Sequence, residues 1–224
     1  MPQEKYSMKK HLFEDRRDYI RQTFAHEPKS QQAIRAAMAS PEDQINVPSE
    51  DGRLLQLLVR LVGAKKIVEI GTLGGYSSLW MAQAMPKGGQ IYTCEYEDRR
   101  AKIADKHFKK YAKGKKITIV QGNAHETLPK LSKKGPFDLI FIDADKISYA
   151  KYLDWAEKNL RRGGLIVGDN TFLFDAIWQE HPVDRVRQEA LFAMRDFNRR
   201  LSNPKKYQSM LLNTGQGMTV AMKL

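Results

Sequence analysis

The chain has 224 residues, 42% of them hydrophobic and 29% charged, which is enough apolar content for a folded core and too much for a disordered chain. Its one cysteine, Cys94, excludes an internal disulfide and a multi-cysteine zinc site, and no apolar run approaches the roughly 18 to 20 residues of a membrane-spanning helix. Thirty-eight Lys and Arg against 26 Asp and Glu leave a formal +12, which suits either an anionic partner such as nucleic acid or a basic face that is merely solvated.

The first twenty residues lack the apolar stretch of a secretory signal, so a cytoplasmic protein is expected. Residues 8–24 and 29–39 read as two helices, and a third runs from about Glu50 to Val62. From Lys65 onward, short runs rich in Ile, Val, Leu and Phe alternate with helical patterns. Strands are predicted at 67–70, 90–95, 117–121, 138–142 and 165–168, with helices at 77–84, 98–112, 126–132 and 149–160 between them. Gly88-Gly89, Gly114, Gly135-Pro136 and Gly163-Gly164 are each expected just before a strand, where a helix has ended. Near-continuous apolar strands separated by helices imply a parallel sheet covered on both faces. A helix near 184–202 and strands around 207–212 and 218–223 close the chain, and the short link NTGQG suits an antiparallel hairpin. One α/β domain is expected, with residues 1–45 as a helical extension.

In open α/β sheets the ligand sits beyond the carboxyl ends of the strands. After the first strand comes VEIGTLGGYSS, whose glycines let backbone approach a ligand but match neither the dinucleotide nor the P-loop fingerprint. Glu69 is a carboxylate inside an apolar strand and needs donors or a cation, either an internal partner or a ligand ammonium. Glu95, after the second strand, is placed to accept from ribose hydroxyls, and Gly122-Asn123-Ala124 could offer backbone groups to a base. A nucleoside with an ammonium and no pyrophosphate is implied, and S-adenosylmethionine fits that description. The fourth and fifth strands end at Asp143 and at Asp169-Asn170. If these strands are neighbours, two carboxylates and an amide suit a hard ion such as Mg²⁺ or Ca²⁺, although strand-end Asp residues also serve as turn formers or caps.

VEIGTLGGYSS, YTCEYE, GNAHETLP, FDLIFIDADKISYAKY, GGLIVGDN and MRDFN together resemble the motifs of cation-dependent class I O-methyltransferases, the family of catechol and caffeoyl-CoA O-methyltransferases, from about Ile45 to the C-terminus. The resemblance implies a Rossmann-like, seven-stranded, mostly parallel sheet in the order 3-2-1-4-5-7-6, with strand 7 antiparallel. It implies metal binding (Mg²⁺, or another divalent cation such as Ca²⁺ or Mn²⁺) at Asp143, Asp169 and Asn170, with Lys146 as general base. It also implies cofactor contacts at Val47, Glu69, Gly71, Thr72, Tyr76, Ser77, Glu95, Ala124 and Asp143, a catechol-like small-molecule acceptor, and a homodimer. Some bacterial relatives methylate a hydroxylated wobble uridine, which makes tRNA the alternative partner; a non-catalytic cofactor-binding protein is a third reading. Thr171-Phe172-Leu173-Phe174 departs from the family's Leu-Trp pattern in the loop expected to line the acceptor pocket. Residues 99–134 hold 12 Lys and Arg against 2 Asp and Glu, and much of this basicity should fall on the edge opposite the pocket. A tRNA held for catalysis would more naturally use Lys9, Lys10, Arg16, Arg17 and Arg21, or Arg199 and Arg200.

Overall fold

The computed structural model describes residues 13–180 and 186–224. Its strands are β1 (Lys66–Ile70), β2 (Gln90–Glu95), β3 (Ile117–Gln121), β4 (Phe137–Ile142), β5 (Leu160–Asp169), β6 (Tyr207–Leu212) and β7 (Met218–Lys223). They form one sheet in the order β3-β2-β1-β4-β5-β7-β6. β1 to β5 are parallel, and β7 runs antiparallel to both neighbours. The helices are α1 (Arg16–Phe24), α2 (Lys29–Ala37), α3 (Ser49–Leu61), α4 (Tyr76–Ala84), α5 (Asp98–Lys110), α6 (Ala124–Leu131), α7 (Tyr149–Asn159) and α8 (Gln188–Leu201). Among the described residues no helix is long and apolar enough to cross a membrane.

Successive strand residues point to opposite faces, and both faces here are apolar. Ile67, Leu139, Phe141 and Val167 pack under Leu55, Leu79 and Trp80 of α3 and α4. Val68, Ile140, Ile142 and Ile166 pack under Leu128, Leu153 and Met194 of α6, α7 and α8. Glu69 therefore points to the α4 side, which decides its partners.

The structure corrects several element bounds. β5 begins at Leu160, so Gly163-Gly164 lies inside it. Phe137 pairs with Leu160 and then Leu139 with Leu165, so residues 161–164 bulge, and Gly163 takes the left-handed φ of 69° that the bulge needs. α5 stops at Lys110 because the chain tightens into a 3-10 turn in which Gly114 packs against the Phe108 backbone. α6 starts two residues early, with the Asn123 side chain accepting the His125 N–H at 2.9 Å. Trp80 is fully buried in the core and Cys94 is buried, as their apolar settings suggest. Lys9 and Lys10 fall outside the described residues. The helices expected from 8 and from near 184 begin later, at Arg16, where the Asp15 side chain caps the first turn by accepting the Asp18 N–H at 2.8 Å, and at Gln188.

Candidate active site

A cavity of about 730 Å³ opens at the carboxyl ends of β1, β2 and β4, a size suited to a nucleoside cofactor and a small co-substrate. Its floor is the turn after β1. Gly71 has φ 102°, and any side chain there would collide with the Asp143 carbonyl oxygen. The Gly71 N–H donates to the Cys94 carbonyl at 3.1 Å, and the Asp143 N–H donates to the Ile70 carbonyl at 2.9 Å. The turn is thus stitched to the ends of both neighbouring strands.

Below this turn Glu69 is fully buried and does not line the cavity. Its carboxylate accepts from the Ser77 hydroxyl at 2.6 Å and from the Ser78 hydroxyl, both on α4. Burial pushes this carboxyl up to about 7, the serine and Thr93 hydroxyls opposing the shift. Thr72 shares a 2.6 Å hydrogen bond with Thr93. Tyr76 lines the cavity, donates to Glu27 at 2.5 Å and lies under the Arg35 guanidinium. Arg35 also pairs with Glu27 at 2.8 Å and donates to the Val47 carbonyl at 3.5 Å.

At the β2 end, Glu95 lines the cavity with both carboxylate oxygens engaged: Oε2 accepts the Leu73 N–H at 2.8 Å and Oε1 the Glu97 N–H at 2.9 Å. These bonds leave lone pairs for two further donors. Ala124 and His125 form the adjoining wall, with His125 stacked on Tyr152 at a ring separation of 5.2 Å. Asp145 caps the turn at Ser148 and accepts from Tyr152 at 2.6 Å. Across the mouth runs the segment joining α2 to α3, held by Asp43, which pairs with Arg99 at 2.6 Å and Arg100 at 2.9 Å. Both polar atoms of the Asn46 side chain are buried there without a partner.

The third wall is acidic. Asp143, at the end of β4, pairs with Lys146 at 3.0 Å, and Lys146 also donates to the Tyr149 hydroxyl at 2.9 Å. Tyr149 is fully buried and donates to the carbonyls of Ile142 and Asp169 at 3.0 and 2.8 Å, so it ties β4 to β5 behind the lysine. Asp169 is buried, its Oδ1 accepting the Asn170 N–H at 2.8 Å. Burial, with the nearby charges of Asp143 and Asp51, holds its carboxyl well above the usual carboxylate range. Asn170, at φ 55°, and Phe174, at φ 54°, line the cavity. The β6–β7 hairpin fixes the loop between them: the Gly217 and Gln216 carbonyls accept from Thr171 and Phe172, each at 2.9 Å.

Of the residues singled out in sequence, Val47, Gly71, Thr72, Tyr76, Ser77, Glu95, Ala124, Asp143, Lys146 and Asn170 line one cavity, while Glu69 and Asp169 stand just behind its wall. Sequence reasoning missed Tyr149, Tyr152 and the Arg35–Glu27 and Asp43–Arg99 pairs. Only the aromatic spacing Tyr149/Tyr152, just after IDADK, could have signalled any of them.

A glycine turn after β1, an acid after β2 and this strand order define a class I, S-adenosylmethionine-dependent methyltransferase. The O-methyltransferase family model matches residues 22–224, and the chain belongs to that family. It is 38% identical over 186 residues to a catechol O-methyltransferase of Niastella koreensis, covering 82% of this chain and 84% of that one. It is 32% identical over 187 residues to a caffeoyl-CoA O-methyltransferase of Populus kitakamiensis, covering 80% and 79%. The crystal structure of TomG from Streptomyces achromogenes, an O-methyltransferase in complex with SAM, matches with a TM-score of 0.81 at 30% identity, covering 92% of this chain and 94% of that one.

Proposed function

We propose that the protein transfers the methyl group of S-adenosylmethionine to a hydroxyl of a catechol-like or caffeoyl-type small molecule and requires a divalent cation. The observation that carries this reading is the acidic wall. Asp143 and Asp169 end adjacent strands, and burial leaves Asp169 short of positive charge with Lys146 as the nearby cation. Two carboxylates and the Asn170 amide, without His or Cys, fit a hard ion. Among the described residues no three His, Cys, Asp or Glu side chains are gathered to hold a metal, so the amide is needed to complete the set. When bound, such an ion orients the acceptor's paired oxygens and favours the deprotonated hydroxyl.

The chain's own residues do the rest. Glu95 accepts the ribose hydroxyls, and Ala124 contacts the adenine. Val47, Gly71, Thr72, Tyr76 and Ser77 enclose the methionine end above Glu69. Lys146, held by Asp143 and Tyr149, would take the acceptor proton at Nζ as the neutral amine, the form that the charge of a divalent ion bound beside it would favour. Acceleration comes largely from holding oxygen and methyl in line, since effective molarities reach about 10⁵ M or more.

The testing experiment is transfer of labelled methyl into a catechol panel, caffeate and undermodified tRNA, with and without EDTA. Label in catechols that EDTA abolishes is expected. Label in tRNA alone would overturn the small-molecule acceptor in favour of the second reading, which the basic balance of the chain supports, and full activity in EDTA would overturn the cation. A pH dependence also follows. Glu69 is half-protonated near pH 7 without ligand, and an approaching ammonium favours its ionised form, so cofactor binding releases a proton. S-adenosylhomocysteine should therefore bind more tightly as pH rises from 6 to 8, and Glu69→Gln should flatten that slope in calorimetric titrations.

A further inference from the structure

The sheet topology gathers basic residues that are scattered in sequence. Because β1 to β5 are parallel, their starts share the edge opposite the cavity. β7, being antiparallel, ends there, and β6 begins there. Taken across the sheet, Lys115-Lys116 precede β3, Lys87 precedes β2, and Lys65-Lys66 open β1. Lys133-Lys134 precede β4, and Arg161-Arg162 stand at the foot of β5. Lys223 then ends β7, and Lys205-Lys206 precede β6. Every strand thus contributes Lys or Arg to one edge. Among the described residues the one ion pair these side chains make is Arg161–Asp138, at 2.6 Å. Lys66, Lys116 and Lys223 donate to backbone carbonyls, which hold them in place without cancelling their charge.

We propose that this edge is a docking surface for the phosphodiester backbone of a nucleic acid. At about 4.8 Å between strands the row extends about 29 Å, and a nucleic-acid strand offers one phosphate about every 3.4 Å of helix axis. The sheet twists by about 20–25° per strand, so the charges follow a curved rail and not a plane. A rail of that shape matches a helical polyanion better than a flat anionic bilayer. Complementing the carbonyl ends of α3 to α8, which all finish at this edge, explains part of the lysine enrichment, but that effect falls off within the last turn, and Lys65-Lys66, Lys115-Lys116 and Lys205-Lys206 stand four or more residues beyond the ends of α3, α5 and α8. The surface stands apart from the cavity, so the inference does not depend on the methyl acceptor.

The test is fluorescence anisotropy of a labelled 20-nucleotide RNA, the DNA of the same sequence and a duplex, titrated with the full chain between 50 and 200 mM salt. The variant carries Lys65→Gln, Lys115→Gln, Lys133→Gln and Lys134→Gln, all exposed and remote from the cavity. Wild-type binding should weaken steeply with salt, and the variant's single-strand slope should fall by about 3, at roughly 0.7 per lost contact. Its S-adenosylhomocysteine affinity should be unchanged, which separates this loss from any failure of the cofactor site. An equal slope in wild type and variant would overturn the proposal, as would binding to phosphatidylserine vesicles with none to RNA or DNA. A lowered melting temperature with nucleic-acid binding intact would reduce the row to helix-end complementation and overturn it too.

Discussion

Asp169→Ala is expected to lower kcat/KM for methyl transfer on the order of 10³-fold or more, while S-adenosylhomocysteine binds within about twofold of wild type. The asymmetry follows from placement. Asp169 stands behind the acidic wall at the end of β5, whereas the proposed cofactor contacts come from the turns after β1, β2 and β3. The folded protein should not suffer, because the buried carboxyl is already held in an unfavourable setting beside Asp143 and Asp51, and removing such a group relieves a desolvation cost. Activity, calorimetric affinity and thermal melting read the three effects separately. A variant that retains magnesium-dependent turnover would remove Asp169 from the ligand set.

Glu95→Ala should have the converse profile. It removes an acceptor of ribose hydroxyls and strands the Leu73 and Glu97 N–H groups that the carboxylate now satisfies. Hydrogen bonds to a charged group contribute about 1.5–3 kcal/mol each, so losing two weakens cofactor binding by about 10²-fold or more. Turnover at saturating cofactor should fall far less. If KM for the cofactor stayed put while kcat collapsed, Glu95 would belong to the chemistry and not to binding.

The residues that were legible in sequence are those whose meaning is set by one strand. Glu95, Asp143 and Asp169-Asn170 follow apolar runs, and a parallel sheet delivers every such position to the same edge. What escaped depends on two elements docking. Glu69 needed donors, but that they are Ser77 and Ser78 follows from which face of β1 meets α4. Asp43 finds Arg99 and Arg100 more than fifty residues away, with no local pattern to announce the pair. Arg200, expected near a tRNA at the pocket, is tied instead to Asp154 and Glu157 of α7. Arg17 and Arg21 are both committed to Glu50. The early start of β5 was hidden because Arg161-Arg162-Gly163-Gly164 reads as a turn, and only pairing with β4 makes it a bulge.

The contact of Gly71 with the Asp143 carbonyl has a consequence for how such an enzyme can be diversified. The separation between donor and acceptor half-sites is set there by main chain against main chain, so no side-chain change can adjust it and most changes at residue 71 would break it. New acceptor preferences must then arise elsewhere, at Phe174, which lines the cavity at the end of the loop that the hairpin carbonyls hold, since Thr171 and Leu173 before it are buried. Libraries that randomise this position while leaving the β1 and β4 turns untouched would explore substrate scope with the reactive geometry held constant.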